Sequence, residues 1–185
     1  MSVKNTEKEY GSISKILHWL VLVIVITLLA IAAQSTELPR GDEKLQLILL
    51  HASFGLLLLF VLSARLIWRW LNVTPAKMPH IPFWQHVVSR TVHYGLYLML
   101  FVQIFNGMAR FATAGYKVPF FGLFEVGLPM QKDEALNELI GDLHGIFPIV
   151  ILVLVGIHIL AALYHHFWLK DDTLRRMTTG IKSGE

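Results

Sequence analysis

The chain has no cysteine. That excludes disulfides, iron–sulfur clusters, thiolate-bound metals and covalent haem attachment through a Cys-x-x-Cys-His segment. Charge is also scarce. Of 185 residues, 16% are charged and 55% are hydrophobic, whereas a water-soluble domain of this size carries more charge on its surface. Apart from Asp142 at the polar start of the fourth, no carboxylate lies within the long hydrophobic blocks. The usual members of a mid-membrane proton relay, or of a carboxylate-completed zinc site, are therefore missing there. No internal repeat or low-complexity tract stands out. No small-residue cleavage site follows the first apolar block, so that block reads as a span and not as a cleaved leader. The formal charge of +3 reads as membrane topology and not as nucleic-acid binding.

What is present is four long apolar blocks, at about 13–33, 45–71, 86–111 and 139–169. A helix of ~20 apolar residues crosses a hydrocarbon core of ~30 Å. The expectation is an all-α integral membrane bundle of four transmembrane helices, forming a single domain over 1–185. Ser12 or Ser14 is a candidate cap for the first helix. The turn Glu37 to Asp42 ends it. Arg65, Trp68, Arg69 and Trp70 suit a helix end at the headgroups. The fourth block is the longest and is expected to tilt or to project beyond the lipid. The connection at about 112–138 contains Gly115, Pro119, Gly122, Gly127 and Pro129 and reads as a loop. Its Phe120, Phe121 and Phe124 would lie against the membrane surface or cover a site.

Lysine and arginine set the orientation. Eleven flank one side: Lys4, Lys8, Lys15, Arg65, Arg69, Lys77, Arg90, Lys170, Arg175, Arg176 and Lys182. Five flank the other: Arg40, Lys44, Arg110, Lys117 and Lys132. The positive-inside rule then puts both termini in the cytoplasm.

Nine histidines is a high number, and most lie inside the apolar blocks. A polar ring in lipid is costly without a partner. His18 sits near the inner end of the first helix. His51 and His144 sit near the outer ends of the second and fourth. His158 is fourteen residues beyond His144, which is about 3.9 turns and ~21 Å along one helix face. His158 thus reaches the depth of His18. The four resolve into an outer pair, His51 with His144, and an inner pair, His18 with His158. Each pair joins two helices at one level, as haem with two axial imidazoles requires. Such iron has no open position and suits electron transfer. Gly55, Gly145 and Gly156 are small neighbours that let a flat cofactor approach. Arg65 and Arg69 are candidate propionate contacts for the inner haem, and Arg110 or Lys132 for the outer one.

The ordinary role of a lone membrane histidine is an interhelical hydrogen bond. A haem-free bundle with structural histidines is the corresponding bland reading, but paired depths favour haem. His93 shares a face with Tyr97. It can bond a propionate or a quinone, replace a ligand, or simply bridge helices. His165 follows His158 on the same face and is a candidate proton carrier or quinone contact. His166, His80 and His86 read as interfacial residues.

Certain segments resemble the prokaryotic cytochrome b561 family. They are Leu17-His18-Trp19, His51 with Gly55, Ala64 to Arg69, His93 with Tyr97, Gly107, and the closing run of His144, His158, Ala161, Ala162 and His165 to Trp168. The similarity runs in order over nearly the whole chain, although the outer connection carries no matching motif. The resemblance implies two haem b groups, with irons held by His18 and His158 inside and His51 and His144 outside. It implies a multi-pass protein of the bacterial inner membrane, coupled to the quinone pool. Members of this length are associated with oxidising superoxide on the periplasmic side and reducing ubiquinone. Arg40, Lys44, Arg110, Lys117 and Lys132 would attract such an anion, or are solvated loop charges offset by nearby acids. The alternative is a membrane anchor that relays electrons from a dehydrogenase or hydrogenase partner subunit to quinone.

Overall fold

The structure is a computed structural model that describes residues 2–76 and 81–180. Lys77, Pro79, His80 and Lys182 lie outside the described residues. Four helices are long and apolar enough to cross a membrane: α1 (Ser12–Glu37), α2 (Asp42–Leu71), α3 (Phe83–Thr113) and α4 (Glu134–Phe167). A short hairpin, β1 (Val118–Phe120) with β2 (Phe124–Val126), joins α3 to α4, and a short α5 (Thr173–Met177) follows α4.

Each spanning helix begins before its apolar block, whereas α2 ends at the expected residue and α4 ends at Phe167, two residues short of the expected 169. The largest extension is at the start of α4. Asp133 caps it by accepting a hydrogen bond from the Leu136 N–H at 2.9 Å, so the helix begins five residues before the expected 139. At α1 the expected serine cap is not formed. Gly11 holds the cap position with no side-chain bond, and Ser14 instead donates its hydroxyl to Asn5 Oδ1 at 2.6 Å.

The connection expected to be a plain loop contains the hairpin. Phe121 and Gly122 both take positive φ (49° and 76°), and Leu123 N–H donates to the Phe120 carbonyl at 2.9 Å. That pattern is a tight hairpin turn, whose two left-handed residues match the strand twist. Ser53 of α2, 3% exposed, fastens the hairpin. Its hydroxyl lies 3.1 Å from the Pro119 carbonyl and accepts from the Phe121 N–H at 3.1 Å. Phe121 and Phe120 then pack edge-on against Phe54 and Phe60 of α2. The phenylalanines therefore lie on a helix of the bundle.

Along their lengths α1 packs on α2 and α3 on α4, with a lesser seam between α2 and α3. The core follows those seams, with Leu56 and Leu62 of α2 each 1% exposed. Beyond an incidental approach, neither α1 nor α2 packs its backbone against α4. Accordingly, 6% of α4's most apolar stretch is buried, against 17–22% in the other three. At the end bearing both termini, polar bonds knit the segments together. Asn5 Nδ2 donates to the Val73 carbonyl, Ala76 N–H to the Glu7 carbonyl, Trp19 Nε1 to the Met177 carbonyl, and Arg176 Nη1 to the Ala76 carbonyl.

Candidate functional site

Two histidine pairs bridge the gap between α4 and the α1–α2 pair. Nearest the termini, the ring centres of His18 (α1) and His158 (α4) are 6.0 Å apart. Nearest the hairpin, those of His51 (α2) and His144 (α4) are 6.1 Å apart. Two imidazoles sharing one metal ion need about 6 Å between ring centres, given metal–nitrogen bonds of about 2 Å. Both pairs meet that spacing, and each links helices whose backbones stand apart. His18 and His144 each keep a buried Nδ1 with no hydrogen-bond partner among the described residues. A Cβ on Gly55, one turn from His51 on the same face of α2, would meet nothing within 4 Å. Among the described residues no three His, Asp or Glu side chains form a cluster that would hold a bare metal ion. Two imidazoles at this spacing fit the iron of a porphyrin, which would bring its remaining ligands with it.

The surroundings of the pairs differ. Beside His144, α3 offers Gly107, whose hypothetical Cβ would lie 2.9 Å from the His144 Cε1. The ring thus occupies the place of the absent side chain. Arg110 lies against Gly141 of α4, with its guanidinium carbon 3.2 Å from a Cβ built there, one turn from His144. Lys132 is turned to Glu134 at 3.6 Å, both highly exposed.

Around His158 the layer is more polar. His93 of α3 brings its ring centre to 5.0 Å from that of His158, with Nδ1 2.6 Å from the Ser89 carbonyl. That bond assigns the proton to Nδ1 and turns the other nitrogen free as an acceptor. The guanidinium of Arg65 sits 5.6 Å over the Tyr97 ring. Arg65, Arg69, Trp68, Ser14, His93 and Tyr97 line a cavity of about 50 Å³. Both arginines thus stand at the edge of the His18–His158 layer, where carboxylates of a porphyrin would need cations.

His165 packs edge-on against Tyr164, with ring centres 6.2 Å apart, and turns to Asp171. Its Nδ1 is 2.6 Å from Asp171 Oδ2, and Asp171 N–H donates back to the His165 carbonyl at 3.1 Å. The chain turns back through Lys170 in the left-handed region, φ 54°. Asp171, 7% exposed, also accepts from the Thr173 N–H at 2.8 Å. Burial pushes its carboxyl up, but the bonds from His165 and Thr173 outweigh that and hold it below the ordinary carboxylate value. Sequence reasoning missed Asp171. The available signal was an acid just past a helix end that carries two histidines. His86 lies in the first turn of α3, and His166 lies beside Phe167 at 4.9 Å.

The chain matches the family described as prokaryotic cytochrome b561 over residues 9–180. It is 34% identical to "Cytochrome b561 homolog 2" of Escherichia coli (strain K12) over 178 residues, spanning 96% of this chain and 95% of that one. It is 28% identical to "Cytochrome b561 homolog 1" of the same organism over 162 residues, or 87% and 92% of the two chains. With the "Probable superoxide oxidase CybB" of Yersinia pestis it shares 29% identity over 174 residues, or 92% and 96%. The match runs from before α1 to past α5 and so takes in both histidine layers; the chain belongs to the prokaryotic cytochrome b561 family, haem b electron-transfer proteins of the bacterial inner membrane.

Proposed function

We propose that this protein binds two haem b groups, takes electrons from superoxide on the periplasmic side and delivers them to ubiquinone. The observation that carries the reading is the pair of imidazole contacts at 6.0 and 6.1 Å across a gap that no backbone packing fills. His18 and His158 would hold one group, and His51 and His144 the other. When bound, haem b would supply reversible one-electron transfer.

The protein's own residues then have separable tasks. The four imidazoles would hold the two groups in place. Arg65 and Arg69 neutralise propionates at the termini side. Both termini lie on the cytoplasmic side by the positive-inside rule, so the hairpin faces the periplasm. There Arg40, Lys44, Arg110 and Lys117 draw an anionic donor. Lys132 adds less, because Glu134 offsets it. Quinone reduction to quinol takes up two protons. His165, held by Asp171, and His93, held by Ser89, are the quinone and proton contacts available beside the cytoplasmic layer. The Yersinia pestis relative named a probable superoxide oxidase supports the choice of donor.

The test uses the purified full-length chain. The reading expects a visible spectrum with a sharp reduced α-band and two haems per chain. Mixing with superoxide should reduce the haem quickly, and a soluble quinone analogue should then be converted to quinol. Reduction only through a co-purifying dehydrogenase or hydrogenase subunit would replace the oxidase reading with a relay. A colourless preparation from haem-replete cells would remove both.

A further inference from the structure

In an α-helix each N–H bonds the carbonyl four residues earlier. Pro148 lies inside α4 and has no N–H to give. The carbonyl it leaves without that donor belongs to His144. Within lipid no water is at hand to satisfy it. The structure supplies a donor from another helix: Gln103 Nε2 of α3 bonds the His144 carbonyl at 3.0 Å. Four residues along α3, Gly107 makes room for the His144 ring. Two further contacts keep the same antiparallel register toward the hairpin. Arg110 lies on Gly141, and Asn137 Nδ2 donates to the Arg110 carbonyl at 2.7 Å and to the Thr113 hydroxyl at 2.8 Å. Thr113 is fully buried.

We propose that Gln103 is the positioning residue for His144, holding from α3 the backbone carbonyl that Pro148 releases from the helical ladder of α4. The inference rests on His144 being a haem ligand. A ligand whose backbone is tied only into its own helix moves with that helix. His144 is tied into α3 instead, at its backbone by Gln103 and at its ring by Gly107. His158 has no such arrangement, because the residue four positions on is Ala162, which carries an N–H. The acceptor also dictates which end of the Gln103 carboxamide faces it, since only the NH₂ can donate. Leucine at this position would fill similar space and leave the carbonyl bare.

The experiment is a double-mutant cycle in the full-length protein: Gln103→Leu, Pro148→Ala and both together, each depleted of haem and titrated with haem b. An orphaned buried acceptor predicts that Gln103→Leu alone weakens uptake of one of the two haems by about tenfold and moves its low-spin electron paramagnetic resonance signal. Pro148→Ala returns an N–H to the His144 carbonyl, so adding Gln103→Leu to it should change uptake less than about twofold. Equal losses in both backgrounds, or equal losses of both haems, would overturn the proposal. Should Pro148→Ala not accumulate, Pro148→Val restores the same N–H and reads the same coupling. His144→Ala is the separate control. If that variant still binds two haems, the ligand reading fails and the positioning role falls with it, whereas a failed cycle beside a lost haem refutes Gln103 alone.

Discussion

The two histidine layers have nearly the same ring spacing and very different neighbours. Around His51 and His144 the adjoining residues are Gly107, Gly141 with the single guanidinium of Arg110 laid on it, and Gln103 bonded to backbone. A hairpin is fastened to the same end of α2 through Ser53. Around His18 and His158 stand a third histidine, two arginines, a tyrosine and a small polar cavity. Nearby are His165 and Asp171. A fixed spacing with a variable environment separates two tasks. On the proposed reading the spacing serves the iron, and the environment serves what must approach it. The hairpin-side layer holds its histidine through backbone and packing contacts, and the termini-side layer carries more charge and more titratable side chains.

The largest break in this comparison comes from α4, which serves both layers. His144→Ala and His158→Ala should each abolish one haem and spare the other, read as a fall from two haems per chain to one. Loss of both haems in either variant would mean that the layers are not separable. Next in size is Gly107→Ala. Its new Cβ would lie 2.9 Å from the His144 ring, closer than nonbonded atoms tolerate, and overpacking of this kind costs about 1–3 kcal/mol. The effect should fall on the hairpin-side haem alone. Gly145→Ala, which meets open space, should be far milder in the haem-free protein.

Both layers were legible in the sequence because helices convert spacing into depth. His144 and His158 are fourteen residues apart on one helix, and the other two histidines could be matched to them by counting turns. The four spans were legible for the same reason, as apolar length. What could not be read was whatever depends on chain reversal or on contacts across helices. The hairpin needs Phe121 in the left-handed region, which no apolar or turn signal announces for phenylalanine. The His165–Asp171 bond depends on Lys170 taking a similar conformation. Gln103 and Pro148 are forty-five positions apart, and only the α3–α4 register reveals that they act on one carbonyl. The serine cap failed because Asn5 folds back to claim Ser14, a tertiary contact that outweighs local preference.

A third prediction sharpens the contrast in charge. Arg65→Met removes a cation from the edge of the termini-side layer while keeping much of the side-chain length. A nearby positive charge favours the reduced state of an iron porphyrin, so that haem's midpoint potential should fall. A tenfold change in the redox equilibrium corresponds to about 59 mV for one electron, and a fall of about that size is expected. The hairpin-side potential should stay put. A shift shared equally by both haems in a redox titration would contradict the assignment of this arginine to one layer.

The smallest expected effect concerns Asp171, and its sign follows from the direction of its proton affinity. Its folded-state carboxyl is held below the ordinary value by the bonds from His165 and Thr173, against the upward push of burial. A carboxylate depressed in the folded state adds stability in full above its unfolded pKa of about 3.9. That contribution fades as pH falls through the folded value. Asp171→Asn keeps the shape and removes the charge. Near pH 7 it should cost about 1 kcal/mol, the net worth of a typical intramolecular hydrogen bond. The gap in thermal midpoint between the natural protein and the variant should stay level down to about pH 4 and narrow below it. A gap that widens in acid would mean that the carboxyl is bound in its protonated form, with His165 accepting its proton. Asp171 could not then hold His165 as a hydrogen-bond donor, and the termini-side layer would lose the fixed proton carrier that distinguishes it from the hairpin side.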